Sequence, residues 1–234
     1  MLKYILFLSI LLTNIVIVAA TNEHNSNGKN NKHTLKPEIE EIKHIQIILG
    51  STRPGRICDQ VGEYVREVMQ KSSPSSFSYE IVDLRDHPLP FFDEPDVPAN
   101  RKYTKPHTFE WSAKVSQAHG FVFVTPEYNG LIPGVLKNAI DFLYHEWSSK
   151  PTVIVSYANK GGTSSAANLL ALTTRIHMKV VPTMPALITT NDVRDKKTNR
   201  IKNPHKAFSQ HKESIKQATH QLVELVCPVE CCLK

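Results

Sequence analysis

The sequence predicts an α/β fold in which helices cover both faces of one five-stranded parallel sheet. Two observations lead to this prediction. Short apolar runs alternate with segments of helical periodicity across residues 42–226, which is the pattern of strand–helix–strand units with parallel strands. The apolar runs also lack a polar face, as is typical of strands that are buried on both sides. A doubly wound sheet with strand order 2-1-3-4-5 is therefore expected.

The predicted elements follow one another in a regular order. Strands are predicted at residues 45–49, 77–82, 121–124 and 152–157, and within 180–188. Helices are predicted at residues 57–70, 108–118, 134–147, about 164–176 and about 205–226. Residues 84–106 contain five prolines and predict a long irregular loop. Five strands in this arrangement indicate a flavodoxin-like sheet, in which a ligand binds where the strand order reverses, between the first and third strands.

The two ends of the chain differ in composition from this domain. Residues 1–20 combine Lys3, an apolar run and a small-residue ending, which favours a cleaved signal peptide and a secretory-pathway or extracellular protein. An uncleaved membrane anchor with a cytosolic domain is the alternative. Residues 21–41 are rich in Asn, Lys and Glu and are interpreted as a flexible linker. Residues 227–234 are interpreted as a cysteine-containing tail.

The net charge of +6 over 234 residues is modest, but six Lys or Arg residues lie between Arg194 and Lys206. A basic segment is able to contact nucleic acid or an anionic membrane surface. We favour a solvated loop, because no aromatic residue interleaves with the basic residues before Phe208 and no nucleic-acid-binding motif accompanies them. No nucleic-acid partner is therefore predicted, and a membrane partner only if the N-terminal segment is uncleaved.

The four cysteines and eleven histidines predict no metal site. Cys58 stands alone, and Cys227, Cys231 and Cys232 crowd the C-terminus without the spacing of zinc ligands. Three states of the tail cysteines remain open: an intramolecular disulfide, free thiols, or a link between two chains.

The segment after the third predicted strand is the most informative part of the chain. Pro126 predicts the end of that strand, because proline cannot donate to a sheet ladder. Glu127, Tyr128 and Asn129 follow with polar tips and an aromatic face, and Pro133 predicts the start of the next helix. A loop between a strand end and a helix start is where α/β sheets bind ligands.

The loop after the first predicted strand, residues 50–56, predicts a phosphate site. Ser51 contributes a hydroxyl donor and Arg53 a planar charged fork, beside the positive end of the next helix. A P-loop is excluded, because Arg56 and Ile57 occupy the positions of its Lys-Ser/Thr pair. The dinucleotide-binding pattern Gly-x-Gly-x-x-Gly is also absent from this loop.

The loop after the fourth predicted strand, residues 156–163, completes the expected site. Tyr157 carries a ring face and a hydroxyl, and Gly161 allows positive φ and a close approach of the backbone to a planar ligand. Because the first, third and fourth strands end at one edge of the sheet, the three loops are expected to meet. A phosphate at the first loop and a flat ring against the other two match the shape of FMN.

These residues resemble a known enzyme family. The motifs are Leu49-Gly-Ser-Thr-Arg-Pro-Gly-Arg56, Thr125-Pro-Glu-Tyr-Asn129, Leu136-Lys-Asn-Ala-Ile-Asp141 and Glu146-Trp147. In them the chain is similar to NAD(P)H-dependent FMN reductases, which include quinone, azo-dye and chromate reductases, over roughly residues 44–190. The third loop departs from the family pattern, since Ala158 and Asn159 stand where two glycines are usual.

The resemblance implies non-covalently bound FMN and a homodimer or tetramer with the flavin near the subunit interface. It also implies roles for eight residues. Ser51 and Arg53 would hold the phosphate; Pro126, Glu127, Tyr128 and Asn129 would line the ribityl chain and isoalloxazine; Tyr157 and Gly161 would border the ring.

The predicted function is an FMN-dependent oxidoreductase that passes hydride from NAD(P)H to a quinone or similar small-molecule acceptor. No residue is predicted to act as a nucleophile or as an acid–base catalyst, because the cofactor carries the chemistry. The alternative is a flavin-binding, redox-sensing module with little turnover, motivated by the altered third loop and the tail cysteines. A hydrolase on the same sheet is disfavoured, since the sequence lacks a Gly-x-Ser-x-Gly elbow.

Overall fold

The structure, a computed structural model, describes residues 15–17 and 39–228. The chain divides after Ile42 into two units. The first unit contains an antiparallel pair of short strands, β1 (Ile15–Ile17) and β2 (Ile39–Glu41). Apart from these strands, the predicted signal peptide or anchor and the predicted linker lie outside the described residues, as does the tail beyond Pro228.

The second unit is built on a parallel sheet. Its strands are β3 (Lys43–Leu49), β4 (Phe77–Asp83), β5 (Gly120–Pro126), β6 (Pro151–Ala158), β7 (Lys179–Val180) and β8 (Ala186–Ile188). Their spatial order is β4-β3-β5-β6, with both β7 and β8 beside β6, and every pair is parallel. Because β7 and β8 together take the place of a fifth strand, the predicted order 2-1-3-4-5 is confirmed.

The fifth strand is split into two pieces. β7 pairs with the start of β6 and β8 with its end. Pro182 and Pro185 lie between the pieces, and neither residue has an N–H group to donate to a ladder. After β8 the chain stays at the carboxyl edge of the sheet, where the Thr189 N–H donates to the Ala158 carbonyl at 2.9 Å. This contact brings the following segment to the third loop.

Six α-helices accompany the sheet within residues 39–228. They are α1 (Cys58–Ser72), α2 (Pro106–Ser116), α3 (Gly134–Asp141), α4 (Thr163–Arg175), α5 (Pro204–Ala207) and α6 (Lys212–Val226). Alternate residues of β5 face opposite sides: Val122 and Val124 pack in a core with α1 and α6, whereas Phe121 and Phe123 pack with α2, α3 and α4. Helices therefore cover both faces, as predicted.

The third helix is shorter than predicted and ends at Asp141 rather than near Trp147. The indole N–H of Trp147 donates to the Ile140 carbonyl at 3.1 Å, and that of Trp111 donates to the Ala139 carbonyl at 2.8 Å. These indoles bind carbonyls that a further helical turn would use. Four apolar side chains at helical spacing in the predicted segment are nonetheless all buried: Leu136, Ile140, Leu143 and Trp147.

Two other predicted boundaries are wrong. The single C-terminal helix is interrupted at the buried Phe208, whose carbonyl accepts a hydrogen bond from the Tyr64 hydroxyl at 3.1 Å. The third strand does not stop before Pro126 but includes it. β3 ends at Leu49, so the end of β5 pairs with β6 alone, and proline is tolerated at such an edge.

Candidate functional site

Three loops meet in one cleft of about 230 Å³ at the carboxyl edge of the sheet. The cleft is lined by Arg53, Gly55, Arg56, Ile57, Pro126, Glu127, Tyr128, Tyr157, Ala158, Asn159, Thr189, Arg194 and Asn199. Five of the eight predicted site residues are among them: Arg53, Pro126, Glu127, Tyr128 and Tyr157. The other three, Ser51, Asn129 and Gly161, belong to the same loops without lining the cleft. We call Arg53, Arg56 and Arg194 the basic side, and Tyr128 and Tyr157 the tyrosine side.

Contacts behind the first loop fix its backbone. The buried Arg56 guanidinium donates to the Ser51 carbonyl at 2.6 Å and forms a two-pronged ion pair with Asp83. Arg85 donates to the carbonyl of Arg53 at 2.7 Å. Gly50 is required by space, because a Cβ atom there would lie 2.9 Å from the Val124 carbonyl oxygen. The loop is thus held in shape by the strands beneath it.

Ser51 connects the first loop to the second. Its hydroxyl lies 2.7 Å from the Tyr128 hydroxyl and is buried. The same hydroxyl oxygen accepts a hydrogen bond from the Arg53 backbone N–H at 3.4 Å. Its hydroxyl is therefore already engaged, and Ser51 positions Tyr128 and Arg53 in addition to its predicted role at a phosphate.

The second loop is a tight turn. Asn129 and Gly130 both have positive φ, of 53° and 79°, and Tyr128 and Leu131 exchange two backbone hydrogen bonds across them. This is the pattern of a type I′ turn, which Asn-Gly strongly favours. The dipeptide Asn129-Gly130 is therefore a local signal for this turn in the sequence. It places Tyr128 in the cleft and leaves Asn129 exposed.

Glu127 links the second loop to the third. Its carboxylate accepts hydrogen bonds from the backbone N–H groups of Ser164 at 3.1 Å and Ser165 at 3.4 Å, in the first turn of α4. A negative charge is favoured there by the helix dipole and by N–H groups that have no partner within the helix. Glu127 lines the cleft, and its charge is engaged by α4.

The third loop depends on two glycines with left-handed backbone, Gly161 at φ 84° and Gly162 at φ 74°. Positive φ was predicted for this loop. A Cβ atom on Gly161 would lie 3.1 Å from the Ala186 side chain, and one on Gly162 would lie 3.2 Å from three backbone atoms of Tyr157. The close approach that these glycines permit is therefore to β8 and to the end of β6.

Tyr157 is buried beside Cys58, the first residue of α1. Burial raises the pKa of Tyr157 well above its ordinary value, and the neighbouring Cys58 raises it further. Burial also raises the pKa of the Cys58 thiol to about 11. Both groups are therefore protonated at neutral pH, and Cys58 is not a reactive thiolate.

The basic side includes a residue that the sequence analysis assigned to a solvated loop. Arg194 is half-buried, lines the cleft and donates to the carbonyl and hydroxyl oxygens of Thr189, both at 3.2 Å. Arg200 of the same segment forms a two-pronged ion pair with Asp59 at the start of α1. The prediction of a wholly solvated loop is wrong at these two positions.

The architecture and the cleft agree with comparisons to known proteins. Residues 44–192 match the model of one family, described as NADPH-dependent FMN reductase. The chain belongs to this family. The family prediction is therefore confirmed, and with it an NAD(P)H-dependent oxidoreductase that uses FMN.

Several relatives are enzymes of this kind. The reductase is 42% identical to an NAD(P)H-dependent FMN reductase of Schizosaccharomyces pombe, over 77% of this chain and 89% of the relative. It is 36% identical to one of Saccharomyces cerevisiae over 58% of this chain and 76% of that protein. A quinone reductase of Pseudomonas putida is 32% identical over 50% of this chain and 61% of that protein.

Solved structures share the fold at low sequence identity. The flavoenzyme FerB of Paracoccus denitrificans, an NAD(P)H:(acceptor) oxidoreductase, superposes with a TM-score of 0.57 at 16% identity, covering 79% of this chain and 97% of that one. An oxidoreductase of Corynebacterium diphtheriae gives 0.59 at 16% identity, covering 80% and 97%. These two likenesses support the flavodoxin-like fold of the reductase.

The residues of the cleft fit FMN chemically. Guanidinium groups on the basic side suit a phosphate, and the tyrosine side offers aromatic surface and hydroxyl groups. Arg56 is only 7% exposed, and its Nε has no hydrogen-bond partner among the described residues. Within residues 39–228 no group of three His, Cys, Asp or Glu side chains is arranged to hold a metal ion, and no helix there is long and apolar enough to span a membrane.

Proposed function

We propose that this reductase binds FMN in the cleft, with the phosphate on the basic side and the ring toward the tyrosine side, and reduces quinones or similar small acceptors with NAD(P)H. The observation that carries the proposal is the meeting of three loops from β3, β5 and β6 in one cleft whose lining includes three arginines and two tyrosines. The quinone acceptor is supported by relatives named quinone reductase and 2-hydroxy-1,4-benzoquinone reductase.

The chain's own residues bind and orient. Bound FMN supplies the hydride-transfer chemistry between NAD(P)H and the acceptor. Arg53 neutralises phosphate charge, Glu127 fixes the second loop against α4, and Ser51 fixes Tyr128. Tyr157 stays protonated because of its raised pKa, so its hydroxyl is able to donate a hydrogen bond but not to act as a base near neutral pH.

A visible absorption spectrum and a turnover assay test this function. We expect purified protein, supplied with FMN, to show the flavin bands and to oxidise NADPH steadily when a benzoquinone is added. Flavin binding without turnover would instead support the redox-sensing module. Protein that stays colourless after incubation with FMN would exclude both functions.

We also propose that the reductase forms a homodimer through α3 and through the proline-rich loop of residues 84–106, part of which packs on α3. The loop is attached where the Phe92 N–H donates to the Asn138 side chain at 3.0 Å and Asn138 donates to the Pro90 carbonyl at 2.7 Å. It presents Phe91, which is 93% exposed, and Leu131 at the entrance to α3 is 54% exposed. Patches of exposed apolar side chains often mark a protein–protein interface.

Sedimentation of two variants tests the dimer. We expect Phe91→Lys to shift the protein toward a monomer, because a charge cannot be buried there without a partner. The control is Leu225→Lys, at an apolar residue that is 40% exposed on α6, which packs on the opposite face of the sheet. If Phe91→Lys and Leu225→Lys sediment alike, the proposed interface is wrong.

For localisation, the signal peptide stays our proposal over the anchor, with the domain in the secretory pathway or outside the cell. Its support is the composition of residues 1–20. Sequencing the N-terminus of the mature protein tests it: a start after Ala20 supports cleavage, and a start at Met1 contradicts it.

A further inference from the structure

Two arginines of the cleft have no carboxylate partner. Arg53 and Arg194 both line it, and no carboxylate within residues 39–228 lies within ion-pair distance of either guanidinium. Their two arginine neighbours are neutralised, in the pairs Arg56–Asp83 and Arg200–Asp59. Because carboxylates neutralise Arg56 and Arg200 but not Arg53 and Arg194, the cleft retains the positive charge of the last two residues.

The two arginines line the same cleft. Arg194 is held by hydrogen bonds to Thr189 and, at 3.4 Å, to the Asn199 side chain, which together use three of its five N–H donors. Burial lowers the pKa of Arg194, Tyr157 opposes this effect, and the charge of Arg53 adds to it. Arg194 retains two N–H donors for a ligand.

The start of α1 lies beside them and also lacks an acceptor. Its N-cap position is Ile57, which has no side-chain oxygen and makes no capping hydrogen bond. Next to it, the buried Nε of Arg56 has no partner among the described residues. Unpaired buried donors cost free energy, which a bound anion with several oxygens would remove. The carboxylate of Glu127, although in the same cleft, is engaged by α4.

We propose that Arg53 and Arg194 clamp a phosphate monoester dianion at the start of α1, and that Arg194 makes the cleft select phosphorylated ligands. The inference rests on the proposed function and adds a residue from a segment 141 positions beyond Arg53 in the chain. Two phosphate monoesters occur among the ligands of such an enzyme: the 5′-phosphate of FMN and the 2′-phosphate of NADPH. The shared chemistry is a dianion that accepts from two guanidinium forks.

Flavin titrations of the apoprotein test the clamp, with binding read from the quenching of flavin fluorescence. For Arg194→Gln we expect the Kd of FMN to rise about 10-fold to 100-fold and that of riboflavin to change less than about twofold. Arg194→Lys should be intermediate, because it keeps the charge but not the fork. The control Lys196→Gln removes the same charge from an exposed position of the same segment that does not line the cleft.

A second measurement needs no variant. Raising the KCl concentration should weaken the binding of FMN to the unaltered protein and leave that of riboflavin unchanged, because salt screens only the phosphate contact. Riboflavin binding as tightly as FMN at low salt would overturn an FMN phosphate clamp.

Steady-state kinetics with NADPH and NADH show whether the clamp binds the 5′-phosphate of FMN or the 2′-phosphate of NADPH. With FMN saturating, an Arg194→Gln variant that raises the KM of NADPH but not that of NADH, and leaves FMN affinity unchanged, supports a clamp for the 2′-phosphate. If FMN affinity and both KM values are unchanged, the clamp is overturned and the proposed function stands. If the unaltered protein binds neither flavin, the proposed function itself fails.

Discussion

The basic side and the tyrosine side of the cleft differ in whether the protein itself provides partners for their polar groups. On the tyrosine side, the Tyr128 hydroxyl forms a hydrogen bond with the Ser51 hydroxyl, and Tyr157 is buried in the core. Next to Tyr128, Glu127 joins the second loop to α4. On the basic side, Arg53 and Arg194 carry charges that no described carboxylate neutralises. The tyrosine side is complete without a ligand, whereas the basic side leaves charge to be balanced by one.

This difference predicts where substitutions act. Changes on the tyrosine side should lower the stability of the ligand-free protein, because they remove contacts within the fold. A change at the exposed Arg53 should affect ligand binding with little loss of stability.

The largest effect is expected for Tyr157→Ala. Tyr157 is 5% exposed and packs in the core with α1 and α6, so its removal should lower the free energy of unfolding by about 3–5 kcal/mol. Urea denaturation followed by circular dichroism measures the loss. The control Tyr157→Phe keeps the ring and should lose much less. Equal losses for both variants would mean that the hydroxyl, rather than the packing, stabilises this side.

Gly162→Ala should lower the free energy of unfolding by about 2 kcal/mol. A φ of 74° is unfavourable for alanine, and its Cβ atom would crowd the backbone of Tyr157 at 3.2 Å. The control is Gly134→Ala, at the first residue of α3, where φ is not positive and no atom lies within 4 Å of the added Cβ. Thermal unfolding of the two variants should differ in midpoint by several degrees, and identical midpoints would contradict the strain argument.

Glu127→Gln should lower the free energy of unfolding by about 1 kcal/mol, because it removes a negative charge from the first turn of α4. Glu110→Gln is the matched control, since Glu110 is an exposed residue of α2. Denaturant titration of both variants makes the comparison. A Glu127→Gln protein as stable as the Glu110→Gln protein would show that the link between the second and third loops adds no stability.

Acid should loosen the end of β8, which leads to Arg194. The Nε2 of His211 accepts from the Ile188 N–H at 3.1 Å, and burial lowers the pKa of His211. As the pH falls, the His211 ring is protonated in the unfolded chain before it is protonated in the folded protein. The contribution of neutral His211 to stability is therefore present above about pH 6.5 and is lost as the pH falls through the lower pKa of the folded state.

We expect this loss to be less than about 1 kcal/mol between pH 7 and pH 5.5, since the ring is only partly buried. It is measured as the difference in pH dependence between the unaltered protein and His211→Gln, which cancels the other titrating groups. Parallel stability curves would exclude His211 as the acid-sensitive group.

The smallest effect is expected for Arg53→Gln, which should change the free energy of unfolding by less than about 0.5 kcal/mol in the absence of ligand. Arg56→Gln is the sharp contrast on the same side, because it leaves Asp83 without its partner and should be clearly destabilising. Chemical denaturation without flavin compares them. A strongly destabilised Arg53→Gln protein would show that the Arg53 side chain stabilises the first loop rather than serving only to bind an anion.

Local signals in the sequence predicted much of this molecule. Alternating apolar runs predicted the order of the sheet, and five of the eight predicted site residues line the cleft, because parallel strands deliver their loops to one edge. The errors at the end of α3 and before α6 arise from long-range contacts. The indole of Trp111 and the hydroxyl of Tyr64 bind carbonyls that periodicity alone assigns to continuing helices.

Arg194 could not be assigned to the cleft by any local pattern. It stands in a lysine-rich segment that resembles a solvated loop. Its place depends on β8 pairing with the end of β6, and on contacts that hold the next residues to α1, where Arg200 pairs with Asp59.

The sequence by itself determined the layered sheet, the three loops and the family, because periodicity, proline and glycine act on the chain within a few residues of where they occur. Only the tertiary structure decided which charges remain unpaired. Whether an arginine is neutralised depends on which carboxylate the fold brings within about 4 Å of it, and residues far apart in the chain, such as Arg53 and Arg194, share a cleft only after the sheet has formed.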